Sequence, residues 1–278
     1  IGDCTATDSL SGKFNFASGL YAGRCLSSNN NIIIGCCAGS VNRLNGQDNV
    51  LLGQNAGRCL AGGSNNVIFG NNAGCAIDGG SNNFLVGTNA GRNINGGNRN
   101  VAVGANAGCS LSGGASNVLF GDSAGRCLTN GSNNVLIGDN AGEKLTVTDH
   151  SIFIGNNAGK NQCSTSNGRN IAIGRGAYCG TSTGYRNVIL GEESGKCLTS
   201  GSYNFLAGYR AGHLLTTGSD NIMIGCCVNA PSATDNCQLA IGHGTDYWIT
   251  GNSDFNIGIG TTNATSKLDV IGDTKFDG

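Results

Sequence analysis

Apolar residues recur along this chain in short triplets, each preceded by Asn and closed by Gly. One copy reads NNVLIGDNAG over residues 133–142, and near-identical copies read NNVIFGNNAG, NNFLVGTNAG and SNVLFGDSAG. Ten of the fourteen spacings between closing glycines are 17 residues, and the others are 16, 18, 19 and 18. The closing glycines are Gly19, Gly35, Gly53, Gly70, Gly87, Gly104, Gly121, Gly138, Gly155, Gly174, Gly191, Gly208, Gly225, Gly242 and Gly260. A nearly fixed period is the signature of a repeat architecture.

The triplets predict β-strands, because most are β-branched or aromatic, as in Val135-Leu136-Ile137. A period of 17 is too short for a helix–turn–helix repeat or a propeller blade, and it suits one coil of a solenoid. We therefore predict an all-β fold, a parallel β-solenoid (β-roll) of about fifteen 17-residue coils. Residues 1–255 are predicted to form this array, and residues 256–278 a C-terminal fibre-type segment that leads to a stalk or a missing domain.

Two further columns of equivalent residues support stacked coils. Asn stands four residues before the closing Gly in most repeats, and stacking would align these side chains into an amide ladder at about 4.8 Å spacing. The predicted ladder includes Asn49, Asn66, Asn83, Asn100, Asn117 and Asn134. An apolar residue follows the Gly by seven positions, as at Leu60 and Ile77, and predicts a second, shorter strand whose side chain points into the coil.

The triplets also predict oligomerisation. Side chains alternate faces along a strand, so Val135 and Ile137 share one face and Leu136 takes the other. A 17-residue coil has only one interior, so the second apolar face must contact another chain or another part of this one. We expect the chain to associate with itself, most simply as a homotrimer. Fifteen coils would give a rod about 70 Å long.

The residue five positions after each closing Gly has a double period, which allows a second possible coil length. It alternates between a cation, as at Arg58, Arg92 and Arg126, and mostly Cys, as at Cys75 and Cys109. This double period permits 34-residue coils with an internal two-fold pseudo-repeat. Such coils would stack the cations directly at about 4.8 Å, an unfavourable like-charge ladder, so we favour the 17-residue coil.

The cysteines depend on the same choice. In 34-residue coils Cys75 would stack on Cys109, whereas in 17-residue coils the neighbours lie on adjacent coils. A disulfide needs Cα atoms about 4.4–6.8 Å apart, which only adjacent coils allow. The disulfide candidates are Cys59 with Cys75, Cys109 with Cys127, and Cys179 with Cys197 or Cys163.

The composition restricts the expected location of the chain and the expected classes of partner. The chain has 278 residues with 14 Cys and a net charge of −1. High cysteine usage favours an extracellular, cell-surface or virion-surface location. Near-neutral charge argues against a nucleic-acid partner, and no apolar run approaches the ~20 residues of a membrane helix, so we expect no membrane insertion.

No residue pattern predicts catalysis, a cofactor or a metal. His150, His213 and His243 are solitary, and no nucleophile differs from its repeat neighbours. GCC occurs at Cys36-Cys37 and Cys226-Cys227. Adjacent cysteines on a strand or turn are expected to point apart, so we favour a disulfide or inter-chain crosslink over metal binding. We expect a protein that is not an enzyme.

The C-terminal stretch NIGIGTTNATSKLDVIGDTKFDG resembles a segment, GIGTT followed by KLDV, of bacteriophage tail-fibre proteins. The repeat array is similar to such fibres and, more distantly, to the heads of trimeric autotransporter adhesins. This resemblance implies a trimeric β-roll and a structural fibre or adhesin with a host-surface glycan or protein as receptor. Corner residues such as Asp149, Tyr185 and Asp220 would form the recognition surface. The alternative is a secreted filament subunit that polymerises end to end and is reinforced by disulfides.

Overall fold

The computed structural model describes residues 12–24, 26–40, 45–163 and 168–272. These residues form seventeen strands and no helix, which confirms the all-β prediction. Strands β1 to β17 are, in order, Phe16–Ser18, Ile32–Ile34, Val50–Leu52, Val67–Phe69, Phe84–Val86, Val101–Val103, Val118–Phe120, Val135–Ile137, Ile152–Ile154, Ile171–Ile173, Val188–Leu190, Phe205–Ala207, Ile222–Ile224, Leu239–His243, Asp246–Gly251, Ile257–Ile259 and Leu268–Val270. The chain divides into two compact units, Ile1–His150 (unit 1) and Ser151–Gly278 (unit 2).

Unit 1 is a parallel β-solenoid built from β1 to β8. Each strand pairs in parallel with the next, and Val50, Val67, Phe84 and Val101 occupy equivalent places on successive strands. These partners are 17 residues apart, so the prediction of a 17-residue coil is confirmed. The alternative 34-residue coil is wrong, because it would place every second triplet in register instead.

Unit 2 begins as the same solenoid and ends differently. Strands β9 to β14 pair in parallel, with one longer step from Ile152 to Ile171. Strand β14 then pairs antiparallel with β15, β15 pairs antiparallel with β16, and β17 returns to a parallel pairing. The step from Gly242 to Gly260 is therefore a hairpin, and the count of fifteen coils was too high. The predicted domain boundary at residue 255 stays a prediction.

The interior of most coils is filled by three columns of apolar residues. The central residue of the triplet (Leu136), the Ala of Ala-Gly (Ala141) and the leucine-column residue (Leu145) are all fully buried. The leucine column does point into the coil, as predicted, but it lies in no second strand. Only isolated bridges such as Ala61 with Asp78 occur there within the described residues, since a turn with a Gly at positive φ follows.

The closing Gly of each triplet is required by the stacking of the coils. Gly70 has a φ of +133°, a region that L-residues rarely adopt. A Cβ atom added to Gly70 would lie 2.5 Å from the Gly87 carbonyl oxygen of the next coil. The recurrent Gly therefore sets both the corner and the close approach of the coils.

Candidate functional site

The asparagine column of unit 1 forms a continuous hydrogen-bonded ladder in the interior. Asn66 donates its backbone N–H and its Nδ2–H to Asn49 Oδ1, at 3.0 and 3.1 Å. Its Nδ2 also donates to the Gly80 carbonyl oxygen at 2.9 Å. Equivalent bonds are made by Asn49, Asn83, Asn100, Asn117 and Asn134. Each amide thus accepts the buried backbone N–H of the next Asn in the ladder and donates to a backbone carbonyl 14 residues further on, which is a structural role.

The ladder of unit 2 is less uniform. It runs through Asn170, Asn187, Asn204 and Asn221 and ends on Gln238, whose backbone N–H donates to Asn221 Oδ1 at 2.8 Å. The ladder position before Asn170 holds Ser151 instead of an asparagine. A polar network therefore replaces part of the regular column.

That network is centred on Tyr178, which occupies the position of the Gly in Ala-Gly. Tyr178 is fully buried, and its φ is +52°. Its hydroxyl lies 2.7 Å from Ser182 Oγ, donates to the Gly184 carbonyl at 3.1 Å and accepts from Asn187 Nδ2 at 3.2 Å. Burial raises the pKa of Tyr178 to about 12, while the bonds with Ser182 and Asn187 lower it. One coil earlier Gln162 takes the leucine-column position and donates to the Tyr178 carbonyl at 2.8 Å.

The first and third residues of each triplet form what we call the outer face. Their side chains are half-buried or exposed, whereas the central residue is buried in every strand from β2 to β13. In unit 1, Phe120 is 54% exposed and Ile34 39%, and in unit 2 Ile224 is 38% exposed. The outer face carries apolar side chains at nearly every position and no charged residue in β2 to β13. It is an unpartnered apolar sheet surface in each unit.

The predicted disulfide candidates lie on adjacent coils as free thiols. The Cys59 backbone N–H donates to the Cys75 carbonyl oxygen at 2.9 Å, so this pair is in direct backbone contact. Burial raises the pKa of Cys75, and the charge of Cys59 adds to this, while Arg58 and Arg92 oppose it. Burial likewise raises the pKa of Cys109 and Cys179, whose neighbours include Cys127 and Cys197 respectively.

The two GCC turns place their thiols together rather than apart. Cys36 Sγ and Cys37 Sγ are 3.5 Å apart, and Cys226 Sγ and Cys227 Sγ are also 3.5 Å apart. The expectation that adjacent cysteines diverge was wrong, because the second residue adopts φ values of +58° and +57°. This left-handed conformation ends the alternation of side chains that an extended strand would give.

Surface charges in unit 2 form a compact cluster. Glu193 contacts Lys196 Nζ and Arg210 Nε, each at 3.1 Å, and Arg175 pairs with Glu192. The hydrogen bond from Lys196 holds the pKa of Glu193 below its usual range. In unit 1, Arg126 and Glu143 approach to 2.8 Å. Of these pairs, Arg126 with Glu143 joins two successive residues of the alternating column.

The three corner residues predicted to face a receptor have different environments. Asp149 Oδ1 accepts from the Ser132 backbone N–H at 2.6 Å and so joins two coils. The Tyr185 ring packs edge-on against Tyr203, with centroids 5.3 Å apart. Asp220 lines a cavity of about 390 Å³ together with Leu239 and Phe255. A second cavity, of about 510 Å³, is lined by Thr245, Asp246, Tyr247, Gly260, Thr261 and Thr262.

The described residues offer few features of other kinds of site. Among the described residues, no cluster of three or more His, Cys, Asp or Glu side chains could hold a metal ion. That part of the chain likewise contains no helix of the length and hydropathy needed to cross a membrane. The comparisons with protein families, curated proteins and solved structures found no match to this chain. Its function must therefore be inferred from its own residues.

Proposed function

We propose that this chain is a non-enzymatic structural subunit, a stiff β-solenoid that assembles into a fibre or adhesin on a virus or cell surface. The main observation in support of this proposal is the outer face. A 17-residue coil already buries its central triplet residue, its Ala and its leucine column. The residues of the coil itself therefore do not cover the outer face. Contiguous apolar patches of this kind mark protein–protein contacts.

The partner that fits the outer face best is a second copy of the chain. A repeating row of apolar side chains at coil spacing matches an identical row, and three such faces would close around a common axis. Cysteine usage supports an extracellular or virion-surface location. The segment from Asn256 would then connect the array to the rest of a tail-fibre-like assembly.

A second candidate is a secreted filament subunit reinforced by disulfides. The contact between Cys59 and Cys75 on adjacent coils favours it, since oxidation there would fasten one coil to the next. This candidate differs from the first in its assembly, which would be indefinite, with disulfides reinforcing each subunit.

The test is the oligomeric mass of the full chain, measured by sedimentation equilibrium with and without reductant. We expect a discrete trimer in both conditions and a monomer for Phe120→Lys, because a charge on the outer face resists burial. Thr146→Lys adds the same charge at an exposed corner and serves as the matched control. A monomeric native chain would overturn the proposal, and indefinite filaments in place of a discrete trimer would favour the second candidate.

A further inference from the structure

The corner just before the asparagine ladder differs between the two units. In unit 2 this position holds Arg169, Arg186, Tyr203 and Asp220 in successive coils. The Arg186 N–H donates to the Gly168 carbonyl at 2.9 Å and the Tyr203 N–H to the Tyr185 carbonyl at 3.1 Å. These residues are therefore stacked at the coil spacing of about 4.8 Å. We call Arg169, Tyr185, Arg186 and Tyr203 the tyrosine–arginine patch.

The backbone at this corner suits asparagine better than arginine or tyrosine. The φ values of Arg186 and Tyr203 are +56° and +60°, in the left-handed region. Asn tolerates this region best among residues with a side chain, and Asn65, Asn82 and Asn133 occupy the same position in unit 1. Because residue types other than Asn also adopt this conformation in unit 1, backbone strain alone does not mark a function here, and the arrangement of the patch side chains has to decide it.

The side chains of the patch are fixed relative to one another. The Tyr185 and Tyr203 rings meet at 73° with centroids 5.3 Å apart. Arg186 donates from Nη1 to the Tyr203 hydroxyl at 2.8 Å, and its guanidinium lies 5.4 Å from that ring's centroid. Both rings remain about two-fifths exposed, at 39% and 44%. The result is a rigid surface with apolar ring area beside cationic donors.

The charge of the patch is available to a ligand. Among the described residues, Arg169 and Arg186 form none of the ion pairs, whereas Arg175 and Arg210 each pair with a glutamate. Arg186 uses one of its five N–H donors on Tyr203, which leaves others for a planar carboxylate. Asp220 follows one coil beyond Tyr203 and can accept hydrogen bonds from neutral hydroxyl groups.

We propose that the tyrosine–arginine patch binds an acidic saccharide, and this rests on the proposed adhesin function. The sugar's carboxylate would face Arg186 and Arg169, and the C–H face of its ring would pack on the tyrosines. Neighbouring hydroxyl groups would donate to Asp220. A nucleic-acid strand fits less well, because a second phosphate would meet the Asp220 carboxylate.

The test measures binding to the full chain by isothermal titration, with sialyllactose and trigalacturonate as acidic probes. Lactose is the neutral probe and hexathymidylate the nucleic-acid probe. We expect at least one acidic saccharide to bind about tenfold more tightly than lactose, because a charge-assisted hydrogen bond contributes that much. Arg186→Asn should abolish this preference, and Tyr203→Asn should weaken binding of both sugars.

The chain offers a matched control. Arg99 occupies the same corner in unit 1 with a φ of +58°, but its neighbours at that position are Asn82 and Ser116 rather than tyrosines. Arg99→Asn should leave sugar binding unchanged. All three variants introduce the residue that suits the left-handed backbone, so each should keep or raise the Tm of the parent.

Each outcome decides one of the two proposals. Failure of both acidic saccharides to bind a trimeric chain overturns the patch and leaves the proposed assembly standing. Acid-selective binding by a monomer overturns the assembly and leaves the patch standing. Equal loss of binding in Arg99→Asn and Arg186→Asn, or tighter binding of hexathymidylate than of either acidic sugar, also overturns the saccharide site.

Discussion

Unit 1 and unit 2 use the same coil but differ in what fills it. In unit 1 the interior repeats one solution, with an Asn of the ladder, a central apolar residue, Ala and a leucine-column residue in each coil from Asn49 to Asn134. Unit 2 departs from this at Gln162 and Tyr178, which place polar atoms where unit 1 has only apolar side chains and Gly. In the uniform interior of unit 1 every coil makes the same contacts with the next, so a change at one coil disturbs its neighbours. The polar network of unit 2 instead gives each of its coils a different set of hydrogen bonds.

The largest expected effect comes from interrupting the uniform ladder of unit 1. Asn100→Ala removes the acceptor for two donors of Asn117, each at 3.0 Å, and the donor for the Gly114 carbonyl at 2.9 Å. Buried groups left unpaired cost about 1–3 kcal/mol each, so we expect a loss of about 3–5 kcal/mol in the free energy of unfolding. Urea denaturation followed by circular dichroism measures this loss.

The control for the ladder is an asparagine outside it. Asn71 is exposed, and its Nδ2 donates to Gln54 Oε1 at 3.1 Å. Asn71→Ala should therefore cost less than about 0.5 kcal/mol. Equal destabilisation by Asn71→Ala and Asn100→Ala would contradict the ladder's structural importance.

Much of the solenoid could be predicted from the sequence because its constraints repeat. The Gly that closes each triplet, the Asn before it and the alternating faces of the strand are each imposed by stacking, so they recur at 17-residue intervals. The coil length, the parallel pairing and the buried leucine column all follow from that recurrence.

The departures could not be predicted because each depends on a single residue. Tyr178 stands where a Gly is expected, and nothing in the repeat indicates that its ring would fill the coil while its hydroxyl joins the ladder. The hairpin of β14 and β15 follows a triplet like the others, and the chain reverses at Gly244, with a φ of +58°. The contact of Cys36 with Cys37 depends on a left-handed φ that adjacent cysteines do not predict.

The pH dependence of stability provides a second comparison, through Tyr178. Its pKa of about 12 in the folded chain lies above the value of about 10 for an unfolded tyrosine. The neutral phenol therefore stabilises the folded state fully below pH 10, and this stability is lost as the pH rises through 12. Two pKa units correspond to about 2–3 kcal/mol. Denaturation midpoints between pH 9 and 12 measure it.

Tyr178→Phe sharpens this prediction. The variant loses the hydroxyl's hydrogen bonds, which we expect to cost about 1 kcal/mol at pH 7, and it should lose the Tyr178 component of the alkaline decline. Burial also raises the pKa of Tyr247, so Tyr247→Phe is the matched control for the background of other tyrosines. If the alkaline slope of Tyr178→Phe equals that of the parent, the buried phenol is not its source.

The smallest expected effect concerns the cysteines of the alternating column. Burial raises the pKa of Cys75 in unit 1 and of Cys179 in unit 2, and the thiolate is the reactive form. Both should react with iodoacetamide several-fold more slowly at pH 8 than the exposed Cys163. Mass spectrometry of the modified peptides gives each rate separately.

The charges around the two cysteines predict which one reacts more slowly. Beside burial, two cations (Arg58 and Arg92) lower the pKa of Cys75 against one thiol that raises it, whereas near Cys179 one cation, Lys196, is opposed by both Glu193 and a thiol. We expect Cys179 to react more slowly than Cys75. Glu193→Gln removes the opposing charge and should narrow the difference, and it should leave the rate at Cys75 unchanged. A faster reaction at both sites in this variant would indicate a general loosening of the chain instead of a local charge effect.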